Sequence, residues 1–263
     1  PAEIKISEPD NSRISDPQIS ETTTIAEPEA SSADIAEDLA QNLPSDQPEP
    51  VVREPAPDPK KTLKLGDYLA AMDIRTSRYT ALKTAMELWQ TPIEFKPYFY
   101  SLDDDHAFFR LTAKPRGIFI HRLETNLDLL KRLDLPAILE LYPTGSEEPG
   151  YLTLSYTDGD MVNFDIPKEN AVIETIEDEV NIYWSGVAYL PWKDFLSISG
   201  TLPSRTNKDS IITLKLLLHE LGYRNIELND NYDIRTRNAV KEIQTQYGIL
   251  ADGFVGPLTK IIL

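Results

Sequence analysis

The chain has 263 residues, a formal net charge of −17 at pH 7 and no cysteine. The negative charge argues against nucleic-acid binding, which needs clustered Lys and Arg to neutralise phosphates. The lack of cysteine excludes disulfides, thiolate metal sites and a cysteine nucleophile. The sequence has no apolar run of about 18 residues, the length that predicts a membrane-spanning helix. It starts at Pro1 without an initiator Met or a signal peptide, so we expect a fragment with a membrane segment or another domain upstream.

Residues 1–62 are predicted to be a disordered linker. Residues 1–60 hold 14 Asp or Glu against 4 Lys or Arg, together with 10 of the 20 prolines. Such a segment cannot bury enough apolar surface to offset the backbone entropy of folding. It is either a flexible spacer that lets the folded part reach a distant target or a tail at the boundary of the fragment, and the two interpretations are compatible.

Residues 63–200 are predicted to form an α+β domain, with helices first and an antiparallel sheet after them. Apolar spacing predicts one helix over 73–90, ended by Pro92, and a second over 123–133. The continuous apolar run 137–142 fits a buried strand. Alternation on both sides of the turn at 157–160 predicts a hairpin over 151–166. One or two further strands are expected within 180–192.

Residues 201–263, called the C-terminal module below, are predicted to be helical. Asp209 is a plausible N-cap for a helix whose apolar stripe is Ile211, Leu214, Leu218 and Leu221. Gly222 stops that helix. A second helix is expected between a cap at Asp233 and a stop at Gly248, and Gly256-Pro257 opens a last helical turn. A module of this size has a small core, so we expect it to pack against its neighbour.

The run of residues through the C-terminal module resembles the peptidoglycan-binding module of bacterial wall proteins. The matching stretches are 217–222, 232–240, 243–244, 247–248 and 252–259, within a resemblance that extends over about a fifth of the chain. The departures are Ile243, where the family usually has Phe, and Lys215, where Gln is common. The resemblance implies a three-helix fold that holds muropeptide or glycan in a shallow groove.

A wall ligand offers amides, hydroxyls and carboxylates, so its site needs polar side chains and a flat aromatic ring. The two arginines can pair with stem-peptide carboxylates, although they also fit a solvated surface. Asp252 also fits a turn with Gly253, and Tyr247 fits the core as well as a groove. The predicted peptidoglycan-binding residues are Arg235, Arg237, Gln244, Tyr247 and Asp252.

Two stretches of the middle block resemble papain-like bacteriocin-processing peptidases: 135–139 with 151–155, and 163–167 with 183–186. In that family a helix early in the domain carries the catalytic Cys, and the strand beginning near 151 opens with the catalytic His. Here Tyr151 stands at the His position and the chain has no Cys. Thiolate attack assisted by imidazole needs both groups, so the resemblance implies a pseudo-peptidase. Asp165 falls near the third catalytic position.

A degenerate peptidase-like domain followed by a wall-binding module resembles the periplasmic region of the general secretion pathway protein A family of type II secretion. The resemblance implies a non-catalytic periplasmic protein, tethered to the inner membrane through an upstream segment and without a cofactor. Its expected partners are peptidoglycan, a secretin that assembles through the wall, and general secretion pathway protein B.

Two other functions stay open. Acid clusters at 103–105, 147–148 and 177–179 can supply the carboxylate pair of a glycosidase, with the C-terminal module delivering a wall hydrolase to its substrate. Alternatively, the middle block keeps a peptide cleft as a docking platform for a protein partner. His106, His121 and His219 lack the spacing of a metal site, so no metal is expected.

Overall fold

A computed structural model describes residues 59–204 and 207–263 of the chain. The predicted disorder of residues 1–58 lies outside the described residues. The strands are β1 (Lys61–Leu63), β2 (Phe119–Glu124), β3 (Ala137–Leu141), β4 (Gly150–Asp158), β5 (Met161–Ile166), β6 (Ala171–Ile176) and β7 (Trp184–Trp192). The α-helices are α1 (Leu65–Ala71), α2 (Ile74–Leu88), α3 (Asp105–Ala113), α4 (Leu127–Leu133), α5 (Glu177–Tyr183), α6 (Lys208–Glu220), α7 (Ile234–Gln246) and α8 (Pro257–Ile262). Short 3₁₀ turns occur at Pro97–Ser101, Lys114–Arg116 and Pro167–Glu169.

The strands form one seven-stranded sheet in the order β1-β6-β5-β4-β3-β7-β2. β1 runs parallel to β6, and the other pairs are antiparallel. The predicted fold class, α+β with a helical C-terminal module, is therefore confirmed. We refer to residues 59–192, which contain the sheet and α1–α5, as the sheet block.

Apolar side chains cover both faces of this sheet. On β3, Ile138 packs into a core with α2 and α3, whereas its neighbour Leu139 packs into a second core with α1 and α4. Tyr151 and Leu152 on β4 divide between the same two cores. Burial on both faces explains why 137–142 appears in the sequence as a continuous apolar run rather than an alternating one.

Helix α2 confirms the predicted first helix and is fixed to the sheet by a hydroxyl. Asp73 caps the helix, accepting from the Arg75 amide at 3.1 Å. The Thr153 hydroxyl on β4 donates to the Ala81 carbonyl at 2.6 Å. The helix ends at Leu88, and Gln90 then takes a left-handed backbone with φ of 52°.

Three sequence-based element predictions are corrected by long-range pairing. The helix predicted over 123–133 begins only at Leu127, because Asn126 caps it and Leu123 pairs with Ala188 in the sheet. The segment predicted as strand from 180 is helical up to Tyr183, and its first turn is acidic, as suits a helix N-terminus. Lys61 and Thr62, predicted as linker, form a strand because β6 pairs with them.

The three predicted helices of the C-terminal module are present with two differences. Helix α6 begins at Lys208, so Asp209 lies in its first turn and Asn207 takes the N-cap position. Leu221 follows the last turn and is 50% exposed, whereas the other three residues of the predicted stripe are buried. Asp233 caps α7 as predicted, accepting from the Thr236 amide at 2.8 Å.

The segment that connects the sheet block to the C-terminal module, residues 193–200, packs into the core of the module. Ile198 is buried in the same cluster as Leu214 and Val240. The Ile198 carbonyl also accepts a hydrogen bond from Lys260 Nζ, and the Ser199 amide donates to Ser210 Oγ at 3.2 Å. The segment is thereby fixed to α6 and α8. The predicted domain boundaries at 62/63 and 200/201 stay predictions.

The C-terminal module also packs directly on the sheet block, as its small core requires. Four of its apolar side chains contact the core that contains Leu139, namely Tyr247, Ile249, Leu258 and Ile261. Leu133 of α4 contacts this core and that of the module. At Gly248 (φ 71°) an added Cβ would lie 2.9 Å from Arg132 Nη1, so the approach is close.

The cap at Asp233 gives a stability prediction. Replacing Asp233 with Ala removes the acceptor for the Thr236 amide and should lower the free energy of unfolding by about 1 kcal/mol. Asp233→Asn keeps an acceptor oxygen but loses the ion pair with Lys215 Nζ at 3.4 Å, and should cost less. Urea unfolding followed by circular dichroism measures both. An equal loss in the two variants would contradict a dominant role for the cap.

Candidate functional site

An arginine lies against two aromatic rings on the surface of the C-terminal module. The Arg237 guanidinium carbon lies 5.1 Å from the centroid of the Phe254 ring and 5.7 Å from that of Tyr232. Phe254 is 42% exposed. We call this set of residues, Tyr232, Arg237 and Phe254, the aromatic face. It combines a charged side chain with an accessible ring and so contains the polar group and the flat aromatic ring expected of a wall-binding site.

The turn at 252–254 places Phe254 on this face. Asp252 Oδ1 accepts from the Phe254 amide at 2.8 Å, and the Tyr232 hydroxyl donates to the Gly253 carbonyl at 2.8 Å. Gly253 has φ of 74°, and an added Cβ would lie 2.7 Å from Arg237 Cγ. Glycine is therefore required both for the backbone conformation and for the close approach of Arg237.

Gln244 lies beneath the turn with only 1% of its surface exposed. The two hydrogens of its Nε2 are shared among three acceptors, namely Asp252 Oδ1 at 3.0 Å, the Phe254 carbonyl at 2.9 Å and Thr259 Oγ1 at 3.0 Å. Its Oε1 accepts from the Gly253 amide at 2.8 Å. The hydrogen bonds of this side chain therefore hold the turn in place.

The other two predicted site residues lie away from the aromatic face. Arg235 is exposed, and its Nη1 donates to the Asn225 carbonyl at 3.1 Å. Tyr247 is half-buried and packs between the core of the module and that of the sheet block. The structure therefore brings Arg237, Gln244 and Asp252 together around one turn and leaves Arg235 and Tyr247 outside it.

A groove with a volume of about 260 Å³ lies beside the aromatic face. The module supplies most of its lining, including Leu250, Asp252, Phe254 and Leu258. The sheet block contributes His121 from edge strand β2. Burial, followed by the charge of His106, lowers the pKa of His121, which favours the neutral imidazole.

Sequence reasoning missed Phe254 and His121. An aromatic residue directly after the Asp252-Gly253 turn is a signal that could have identified Phe254. Nothing local marks His121, because its place in the groove depends on how the C-terminal module packs against β2.

In the sheet block, Tyr151 occupies a fully bonded structural position. Its hydroxyl donates to Asp105 Oδ2 at 2.6 Å, and Asp105 Oδ1 accepts from Arg78 Nη1 at 2.8 Å. Burial, aided by the bond to Asp105, raises the pKa of the Tyr151 phenol far above its usual value. The phenol is therefore a protonated donor and cannot serve as a general base near neutral pH.

Ser77 is a buried hydroxyl on α2 next to Tyr151. Its Oγ donates to the Ile74 carbonyl at 2.6 Å and accepts from the Tyr151 amide at 3.2 Å. Both partners are backbone groups, so no base activates this hydroxyl for nucleophilic attack. Asp165, near the third catalytic position, forms an ion pair with Lys60 instead.

Ser77, Tyr151 and Asp165 share a second groove with a volume of about 560 Å³ between α2 and the sheet. Five threonines contribute to its lining together with charged residues such as Lys64 before α1, Asp67 in α1, and Lys168 and Glu169 in the turn after β5. The groove lies where the sequence resemblance puts a peptidase cleft.

The acid clusters considered for a hydrolase are largely engaged in local structure. Asp104 caps α3 through the Ala107 amide, and Asp105 binds Arg78 and Tyr151. Glu177 pairs with Lys131 at 2.8 Å, and Glu179 accepts from the Thr175 hydroxyl.

Among the described residues no group of three or more His, Cys, Asp or Glu side chains is placed to hold a metal ion. No helix within residues 59–204 and 207–263 is both long and apolar enough to cross a membrane.

Comparison with known protein families agrees with the resemblance drawn for the C-terminal module. Residues 207–263 match the family described as a putative peptidoglycan binding domain. The prediction of a peptidoglycan-binding module is therefore confirmed for this part of the chain. No curated protein is significantly similar to the chain.

Solved structures with some similarity include two kinds of protein. One is a periplasmic domain of the EpsAB fusion protein of the Vibrio vulnificus type II secretion system, with 17% identity, a TM-score of 0.41 and coverage of 73% of this chain and 79% of that one. Another is the peptidase domain of Streptococcus ComA, a bifunctional ABC transporter of a quorum-sensing pathway, with 15% identity, a TM-score of 0.38 and coverage of 46% and 94%. The corresponding domain from Streptococcus mutans has 18% identity, a TM-score of 0.33 and the same coverage.

The bonding of Gln244 predicts a structural effect of its removal. Gln244→Ala removes the hydrogen bonds to the buried Gly253 amide and Thr259 hydroxyl as well as those to Asp252 and the Phe254 carbonyl, and should lower the free energy of unfolding by about 2 kcal/mol. Gln246→Ala, at an exposed position of the same helix, is the matched control and should change it by less than about 0.5 kcal/mol. Urea unfolding measures both. Equal stabilities would show that the amide does not hold the turn.

Proposed function

We propose that this protein is a non-catalytic, periplasmic peptidoglycan-binding protein that anchors to the cell wall through its C-terminal module. The observation that carries this proposal is the aromatic face within the segment that matches a putative peptidoglycan binding domain. Its exposed ring can pack against the apolar face of a sugar or an alkyl side chain. Its guanidinium can form charge-assisted hydrogen bonds with the carboxylates of the stem peptides.

The positive charge of Arg237 matters for wall binding because the chain as a whole is negative. The whole protein carries −17, whereas residues 203–263 hold 8 Lys or Arg against 7 Asp or Glu. Peptidoglycan is itself rich in carboxylates, so most of the protein is repelled by it and the C-terminal module is not. Lys241 packs against the turn close to Arg237, since a Cβ added to Gly253 would meet both side chains. The two cations therefore define a local positive region suited to an anionic polymer.

Retention on purified sacculi tests the proposal. Arg237→Ala should weaken retention about tenfold, a loss of about 1.4 kcal/mol, because it removes the cation of the aromatic face. Arg235→Ala is the matched control, since it removes the same charge from the same helix away from that face, and should bind as the unmodified protein does. Absence of retention of the unmodified protein at moderate salt would overturn the proposal, as would equal effects of the two substitutions.

The proposed lack of catalysis rests on the chemistry around Tyr151. The chain has no cysteine, the Tyr151 phenol is held protonated, and the Ser77 hydroxyl is bonded to backbone groups. These observations support a pseudo-peptidase.

Incubation with purified sacculi, followed by chromatography of soluble muropeptides, tests the lack of catalysis. We expect no release above a buffer control, because the chain has no cysteine, the Ser77 hydroxyl has no activating base and the Tyr151 phenol cannot act as one. Release of glycan or peptide fragments would instead favour the wall-hydrolase alternative, with a carboxylate pair as its catalytic groups.

The proposed role in secretion is assistance to secretin assembly, with the secretin and general secretion pathway protein B as partners and a tether to the inner membrane. The support is the sequence resemblance of a degenerate peptidase-like block that precedes a wall-binding module. An anchored protein that does not cut the wall could hold assembling subunits at one place in it. The second groove, at about 560 Å³, offers a docking site for a partner segment. Site-specific crosslinking from this groove to either partner would test the role.

A further inference from the structure

The groove between the C-terminal module and strand β2 is not explained by a module that binds the wall alone. One of its lining side chains, His121, comes from the sheet block, and Thr201 comes from the start of the module, ahead of its helices. We infer that this groove is a composite site for the uncharged acetamido sugars of the glycan strand, completed by His121. This inference rests on the proposed peptidoglycan binding and specifies which part of the polymer the groove takes.

The two walls of the groove are held in a fixed relation by packing on both sides of it. Tyr247, Ile249 and Leu258 pack against the core of the sheet block. From the other side, Ile198 of the connecting segment is buried in the core of the module. Inside the module, Leu202 and Val255 exchange backbone hydrogen bonds of 3.2 and 2.8 Å, which fix Thr201 beside the 252–254 turn. A composite site needs such preorganisation, because otherwise binding would have to order the two walls.

The lining of the groove suits the two-sided chemistry of a sugar. Leu250 is 81% exposed and Phe254 42%, so a substantial apolar surface faces solvent at this place. Such a surface matches the C–H face and the acetyl methyl group of an acetamido sugar. Thr201, His121 and Asp252 add a hydroxyl, an imidazole and a carboxylate, which can bond to the hydroxyls and the amide. The volume of about 260 Å³ favours a short stretch of a polymer rather than a bulky folded partner.

Charge separates this ligand from the stem peptides. Asp252 is the only residue among the described lining that carries a full charge near neutral pH, and neither Lys nor Arg contributes. Because burial lowers the pKa of His121, the imidazole does not offset that negative charge. A stem-peptide carboxylate would therefore be repelled from the groove. The carboxylates would instead meet Arg237, a residue of the aromatic face that is not among the described residues lining the groove.

Titration of the full chain with soluble oligosaccharide tests the composite site. The probe is the β-1,4-linked tetramer of N-acetylglucosamine, and the comparison ligand is a free stem tetrapeptide, both followed by calorimetry. We expect binding of the tetramer and weaker or no binding of the peptide. Leu250→Glu should abolish or weaken tetramer binding by at least about tenfold through steric and electrostatic blocking. Ile234→Glu, at a module position that is 67% exposed and outside the groove lining, should leave it unchanged.

The contribution of the sheet block is tested on β2. His121→Gln should weaken tetramer binding about fivefold, because the flexible amide does not keep a polar group at the place of the imidazole nitrogen, and this is the effect of about one hydrogen bond. Arg122→Gln, the next residue of the same strand and absent from the groove lining, should not. The Leu250 side chain is exposed, so its substitution should not disturb the core. The Leu250 variant therefore keeps the test decisive if the His121 variant folds poorly.

The outcomes separate this inference from the proposed function. Retention on sacculi without tetramer binding, or tetramer binding that Leu250→Glu does not change, would overturn the composite sugar site and leave wall anchoring intact. A preference for the tetrapeptide would overturn it as well. Tetramer binding that falls in Leu250→Glu and His121→Gln but not in their controls supports it. Failure of the protein to be retained on sacculi would overturn the proposed function and this inference together.

Discussion

The sheet has two apolar faces, and the rest of the structure depends on covering both of them. Helices α2 and α3 pack on one face, and α1 and α4 pack on the other together with Tyr247, Ile249, Leu258 and Ile261 of the C-terminal module. Uncovered, these side chains would expose a contiguous apolar patch. The module gains in return, because a core of its size contributes little stability alone. Its position against β2, and therefore the groove at His121, follows from this mutual burial.

Features with local causes could be predicted from the sequence, and features with distant partners could not. Helix α2 and the β4–β5 hairpin follow from apolar spacing and turn chemistry within a short window. Strand β1 was missed because it becomes a strand by pairing with the distant β6, from Lys61 with Ala171 to Leu63 with Ile173. The predicted start of the helix over 123–133 was wrong for the same reason, because Leu123 pairs with a residue of β7 in the sheet.

The candidate site follows the same division. The sequence brings Arg237, Gln244 and Asp252 into one short segment, and the structure places them around one turn. Which of them a ligand can reach depends on tertiary burial: Gln244 is 1% exposed, whereas Phe254, which sequence reasoning overlooked, is 42% exposed. The sequence motif alone does not distinguish the buried amide of Gln244 from the exposed ring of Phe254. Only packing separates the residue that builds the turn from the one that the turn presents.

The polar groups around Tyr151 show how side chains of the sheet block can be engaged in structure, which suits the proposed lack of catalysis. A catalytic base must keep a lone pair available, whereas the Tyr151 phenol donates to Asp105, which in turn is held by Arg78. Ser77 likewise links α2 to the β4 backbone through the Tyr151 amide. Each group that could have been reactive now joins α2 or α3 to the sheet through a satisfied hydrogen bond, and such bonds are costly to break when buried. These hydrogen bonds therefore stabilise the junction between the helices and the sheet, and they lie beside the groove that contains Ser77 and Tyr151.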